Sequence, residues 1–242
     1  VWNHGSTILK GLKWMLKSDA PLLVNPKPSW HKLSWFAEFI ANIPHYERNT
    51  IATARLAVAA REHLFAWAEA EGVNFLKQQG ILHIYRDKKG FDHAGQVSKL
   101  LAEGGLPRRA VTPEEMRAIE PTLAGNYYGG YYTESDSTGD IHKFTHGLAA
   151  AATRLGVQTL YGQEVVRLRS DGTSASVTVR GEWGEQTLRY DGLVVCAGVK
   201  SRAFAAQLGD RVNVYPVKGY SITVNLLDAQ SQAAAPTVSL LD

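Results

Sequence analysis

The stretch Asp191–Leu208, DGLVVCAGVKSRAFAAQL, constrains the rest of the chain more than any other. Leu193–Cys196 is a short apolar run with the length and composition of a buried strand. It ends in Ala197-Gly198, and a helix can start near Ser201 with Phe204, Ala205 and Leu208 on one face. A strand that ends in small residues lets something flat approach the backbone, because Gly198 carries no Cβ. In open α/β sheets, ligands lie outside the carboxyl ends of such strands. The same residues also describe an ordinary strand–turn–helix unit, and the stretch alone leaves both readings open.

The sequence before it predicts mainly helices. Residues 6–17, STILKGLKWMLK, suit a short amphipathic helix, and Pro21, Pro26 and Pro28 then break the chain. A second helix over residues 30–42 carries Trp30, Leu33, Trp35, Phe36, Phe39 and Ile40. Core packing is the plain reading of those rings; a membrane-surface or ligand face is the alternative. A long helix over 49–71 places Leu56, Ala60, Leu64 and Trp67 on the 3.6-residue period, and Gly72 can end it. Residues 80–85 read as a strand with a charged turn behind it, and 92–103 as a helix ended by Gly104-Gly105. Thr112-Pro-Glu-Glu115 is a helix start, with Thr as cap, Pro first and Glu third. Residues 126–133 are aromatic and strand-prone, and Gly129-Gly130 marks a bulge or a close approach.

After that the pattern turns to strands. Asp140 can cap an Ala-rich helix over 141–155, which puts His142 in the first turn, where a negative charge is favoured. A surface histidine is the plain reading of His142. Strands are expected over 157–160, 164–169, 175–180 and 186–190, with a hairpin turn at Asp171-Gly172 and a reversal over 181–184. Residues 212–225 alternate as one long strand with Lys218-Gly219 at its middle; 228–236 read as a polar loop and 237–241 as a further strand.

Composition narrows the function classes. With 242 residues, 45% apolar and 20% charged, the chain can bury a real core in one large domain or two small ones. The net charge is +3, but the basic residues are scattered, so no nucleic-acid stripe exists. The single cysteine, Cys196, cannot form an intramolecular disulfide; it fits a reducing compartment and reads as a buried, inert thiol. No run approaches the ~20 apolar residues of a membrane span. The eight histidines are dispersed, without H-E-x-x-H, a P-loop or a nucleophile–base pair, so no metal site and no protein nucleophile is expected. The start at Val1 and the apolar run stopping at Asp242 suggest the middle of a longer protein.

Four motifs in order, STGDIHKFTHGLAAAATRLGV, GQEVVRL, DGLVVCAGVKSRAFAAQLG and YPVKGYSITV, carry a resemblance. Together they resemble the FAD-dependent D-amino acid oxidase superfamily, most of all its bacterial D-amino acid dehydrogenase branch. LKGLKWMLKSDAPL near the start is similar to the same family, so the resemblance covers nearly the whole chain. It implies an α/β fold of α+β character: a substrate domain with a large mixed and antiparallel sheet and packed helices, plus the middle part of a Rossmann-like FAD domain. The helices over 30–42 and 49–71 are expected to pack on that sheet. The expected division is 1–140 substrate domain, 141–210 flavin domain, and 211–242 returning to the substrate sheet.

The resemblance also implies roles. Val165 matches a residue whose backbone contacts the adenine of FAD, and Ala197 and Gly198 match a small-residue turn close to the cofactor. Lys218, Gly219 and Tyr220 match a strand motif facing substrate and flavin ring, and His142 is carried as a further residue near the substrate. The implied activity is oxidative deamination of a D-amino acid to a 2-oxo acid and ammonia, with electrons passed to a respiratory quinone or partner chain. The implied location is cytoplasmic, peripheral on the inner membrane. Two rivals stand: a glycine- or sarcosine-type amine oxidase, and a non-catalytic interaction module. The family's G-x-G-x-x-G phosphate cradle does not occur in this sequence, and its C-terminal glycine-rich segment with a carboxylate-binding Arg is missing too. The chain alone is therefore expected to bind FAD weakly or not at all.

Overall fold

The computed structural model describes residues 27–241, so the helix expected over 6–17 lies outside the described residues. In chain order the elements are α1 (Trp30–Asn42), a 3₁₀ turn (Ile43–His45), α2 (Tyr46–Ala70), β1 (Gln78–Tyr85), α3 (Lys88–Glu103), β2 (Arg109–Val111), α4 (Pro113–Ile119), β3 (Gly129–Thr138) and α5 (Ile141–Arg154). There follow β4 (Glu164–Ser170), β5 (Ala175–Gly181), β6 (Gly184–Tyr190), a 3₁₀ turn (Gly198–Lys200), α6 (Ser201–Gln207), α7 (Ala229–Ala233) and β7 (Ser239–Leu241). Short-range chemistry sets many of the boundaries. Ser29, Asp87, Thr112, Asp140 and Asp228 each cap a helix through the side chain, and Thr112 with Glu115 closes a full capping box. Asp87 starts α3 earlier than the sequence suggests, because it turns the charged residues Lys88 and Lys89 into a first helical turn.

The described residues divide into two compact units: 27–44 with 158–221, and 45–157 with 222–241. These limits differ from the 140/141 and 210/211 boundaries expected from sequence. α1 clusters with the hairpin strands β4–β6, and α5 with the four-stranded sheet.

The second unit holds a mixed sheet in the order β2-β3-β1-β7. β1 runs antiparallel to β3 and parallel to β7. One face carries the core of Leu82, Ile84, Val111, Met116, Leu123 and Val238. Gly130 lies where β3 passes between β1 and β2; a Cβ there would stand 2.7 Å from the His83 carbonyl oxygen and 3.2 Å from Met116 Sδ. Gly129-Gly130 is thus a close approach, while the ladder irregularity falls between Gln79 and Ile81. Gly130→Ala is expected to destabilise the protein by roughly 2–3 kcal/mol, the cost of overpacking a filled core, read as a lower urea midpoint.

α2 corrects the face read from sequence. Its buried positions are Ala54 and Ala68, while Leu56 is 73% and Trp67 59% exposed. Small residues win that seam because α3 comes very close: a Cβ on Gly104 would lie 2.4 Å from that of Ala54. The segment 228–236, expected as a loop, contains the short helix α7.

In the first unit β4, β5 and β6 form consecutive antiparallel hairpins. The Asp171 carboxylate accepts from the N–H groups of Thr173 and Ser174 at the first turn. Leu168, Val177 and Val179 make the core, with Leu188, Val195, Phe204 and Leu208 against it. Within its own unit α1 packs on the 211–215 segment, where Trp35 and His31 meet Tyr215 and Glu38 pairs with Arg211.

Three expected strands are not formed: 157–160, 193–196 and 212–225 have no ladder partner among the described residues. A strand needs a second edge for its N–H and C=O groups, and periodicity alone cannot supply one. Cys196 is accordingly exposed, not buried.

Candidate cofactor and substrate site

One of the four residues of the apolar run packs as expected. Val195 points into the hairpin core, while Val194 is 85% exposed and Leu193 and Cys196 are also exposed. The run ends where the 3₁₀ turn begins. The Ala197 N–H donates to Ser201 Oγ (3.1 Å), and the Lys200 N–H donates to the Ala197 carbonyl (3.1 Å). Gly198 takes φ +55°, the left-handed region that glycine tolerates without a steric penalty. A Cβ placed on it would meet nothing within 4 Å. The space over this turn is therefore open, and the side chains leading to it are apolar. Val165, on β4 opposite Val179, is 37% exposed in the same unit.

The structure places Lys218, Gly219 and Tyr220 in an extended segment without ladder pairing, not at the middle of a strand. Tyr220 is 88% exposed, and Lys218 Nζ lies 5.1 Å from the centre of its ring. These residues share a compact unit with Val165, Ala197 and Gly198. His142 belongs to the other unit, exposed in the first turn of α5 and 4.3 Å from the ring of His146. Among the described residues no group of three or more His, Cys, Asp or Glu is arranged to hold a metal ion.

The fit to a dinucleotide cofactor is partial. An open glycine turn with an exposed apolar approach suits the contact of a flat aromatic group with backbone. Phosphate recognition needs a helix N-terminus with a glycine-rich cradle, and the sequence has no G-x-G-x-x-G.

One polar constellation escaped the sequence reading. Arg61 on α2 donates through Nη1 to Asp136 Oδ1 (2.7 Å) at the end of β3, beside a cavity of about 440 Å³. Arg61 lies seven residues from both Ala54 and Ala68, so it shares their side of α2. A charge on a buried helical face would have flagged it, had that face been read correctly. Nearby, burial lowers the pKa of His83 to about 4, helped by the Arg108 charge and opposed by Asp136.

A mixed sheet with packed helices, a three-stranded antiparallel hairpin unit and an open small-residue turn define an architecture of the α/β class. Residues 25–241 match the family model described as FAD dependent oxidoreductase, and the chain belongs to that family. It is 57% identical over 244 residues to D-amino acid dehydrogenase 3 of Mesorhizobium japonicum, a match covering 100% of this chain and 59% of that relative. It is 36% identical to a D-amino acid dehydrogenase of Paramagnetospirillum magneticum, covering 100% of this chain and 57% of that protein. Among solved structures, the L-proline dehydrogenase of P. horikoshii superposes with a TM-score of 0.53 at 19% identity, over 66% of this chain and 40% of that one. The chain thus spans a little under three fifths of the length of these curated relatives.

Proposed function

We propose that this chain is the part of an FAD-dependent D-amino acid dehydrogenase that carries substrate contacts and the middle of the flavin site. The observation that carries the reading is the 57% identity across the full chain to a relative of that name, inside a family match over 25–241. When bound, FAD supplies the two-electron acceptor for oxidising the amine-bearing carbon of the substrate, whose imine is then hydrolysed to a 2-oxo acid and ammonia.

The chain's own residues act by placement. Gly198 and Ala197 leave backbone open to the cofactor, and Val165 brings its β4 backbone to the adenine end. Lys218 is a cation suited to the substrate carboxylate, and Tyr220 brings a ring and a hydroxyl to the same segment. Gly219 between them leaves room for close approach. His142 adds a titratable group at a helix start. The hairpin unit belongs to the flavin half and the four-stranded sheet to the substrate half.

The electron acceptor is a respiratory quinone or an electron-transfer partner, and the enzyme works in the cytoplasm at the inner-membrane surface. α1 supports that placement, with Trp30 82%, Leu33 55% and Ile40 52% exposed. No described helix is long and apolar enough to cross a membrane. The test is D-alanine-dependent reduction of a quinone analogue by the full-length protein, with and without lipid vesicles. The expected result is turnover with D- but not L-alanine, little oxygen uptake, and recovery of the protein with the vesicles. Preference for glycine or sarcosine with oxygen as acceptor would overturn the reading.

A further inference from the structure

The cavity beside α2 has one cationic side chain, one anionic side chain and apolar walls, all within the unit built on the four-stranded sheet. We propose that it binds a small carboxylate with an apolar tail, a 2-amino or 2-oxo acid, whose carboxylate sits on the Arg61 guanidinium. The proposal does not depend on the function argued above.

The walls come first. Phe75 stacks on Phe65 (6.3 Å between ring centres) and meets Phe144 edge-on (5.4 Å). Leu64 and Ala60 extend the apolar lining along α2. The backbone before α5 fixes the Phe75 ring: a Cβ on Gly139 would stand 2.4 Å from Phe75 Cδ2. The Asp140 N–H also donates to the Phe75 carbonyl (2.7 Å). A cavity with rigid aromatic walls suits a branched or aromatic side chain and is already formed without it.

The polar end is only half used. A guanidinium carries five donors. Both hydrogen bonds of Arg61, to Asp136 Oδ1 and to Ser135 Oγ (3.3 Å), leave from Nη1. The Nε and Nη2 edge makes no hydrogen bond within the described residues, and that edge matches a carboxylate bidentately. Asp136 likewise uses Oδ1 and keeps Oδ2, the acceptor an ammonium group would need. The local charge favours an anion. Asp136 is also felt by Arg108, and Lys77 Nζ lies 3.8 Å over the Phe65 ring. The cavity therefore asks for a carboxylate first and accommodates an ammonium second.

Calorimetric titration of the full-length flavoprotein tests this with three ligands: 4-methyl-2-oxopentanoate, L-leucine and 3-methylbutylamine. Both carboxylates are expected to saturate a component that the amine does not. Arg61→Gln should weaken that component about tenfold or more, the worth of a charge-assisted pair. Ala60→Leu should remove it by filling the cavity, with the thermal midpoint and flavin spectrum unchanged. Tighter binding of the oxo acid assigns the carboxylate to Arg61 alone; tighter binding of leucine adds the ammonium on Asp136. Because the readout is one binding equivalent lost in the variants, a failure of the dehydrogenase reading does not mask it. Identical stoichiometry and affinity in both variants, or equal binding of the amine, would overturn the proposal.

Discussion

Glu120→Gln is expected to lower unfolding free energy at pH 7 by about 3 kcal/mol and to remove this group's own share of the acid-induced loss of stability below pH ~4.5. Glu120 is fully buried just after α4. One carboxylate oxygen accepts from the N–H and hydroxyl of Thr122. The other accepts from the N–H and hydroxyl of Thr237 and from the N–H of Val238 (3.1 Å). Burial by itself would raise its pKa, but these five hydrogen bonds outweigh burial and bring it to about 2, from an ordinary 4.5. The unfolded chain therefore takes up the proton first as pH falls. The stabilisation is complete above pH ~4.5 and is lost on the way down to about 2. An amide keeps one acceptor but turns its NH₂ towards a set of donors, so at least one buried N–H loses its partner.

The same carboxylate fixes the chain entering β7, which lies parallel to β1 through Ile81↔Ser239 and Leu82↔Leu240. Urea unfolding at pH 7, 5 and 3.5 separates this group from His83. His83 is neutral in the fold because burial and Arg108 lower its pKa to about 4, so its share is lost between pH ~6.5 and ~4. The variant should keep the His83 slope and lack the Glu120 slope. Unchanged stability at pH 7 would show that Glu120 does not anchor Thr237 and Val238.

What was legible in the sequence was chemistry confined to a few neighbouring residues. Thr112 and Glu115 form their capping box, Asp140 caps α5, Asp171 builds its turn and α1 runs from Trp30 to Asn42 as its pattern implies. Contacts between residues far apart were not legible. Nothing near Glu120 in sequence announces Thr237, and nothing in Ser239–Leu241 announces a parallel edge on β1. The α2 face was misread because the seam with α3 selects alanine by distance rather than by hydrophobicity. Leu193–Cys196 has the composition of a strand, but hydrogen-bond partners make a strand, and none of the described residues supplies them. The family resemblance survived these local errors because it rests on motif order, which packing does not alter.

The largest effect is expected for flavin affinity. Titrating this 242-residue chain with FAD should give binding at least about a thousandfold weaker than the full-length protein shows, with no structured flavin spectrum. On the proposed function, the isoalloxazine and adenine meet the half-exposed Val165 position and the open Ala197-Gly198 turn. The pyrophosphate needs several N–H donors converging at a helix start, each charge-assisted bond contributing roughly 1.5–3 kcal/mol. Two or three such bonds account for that ratio, and no glycine-rich cradle occurs in this sequence to make them. Gly198→Ala in the full-length protein addresses the remaining contacts. A Cβ there meets no protein atom within 4 Å, so the change strains only one left-handed residue, at about 1 kcal/mol. A much larger fall in flavin affinity at nearly constant stability would then measure contact between the cofactor and this turn. Tight flavin binding by the 242-residue chain would instead mean that apolar stacking outweighs the phosphates. Full affinity in the Gly198→Ala protein would move the cofactor away from the turn.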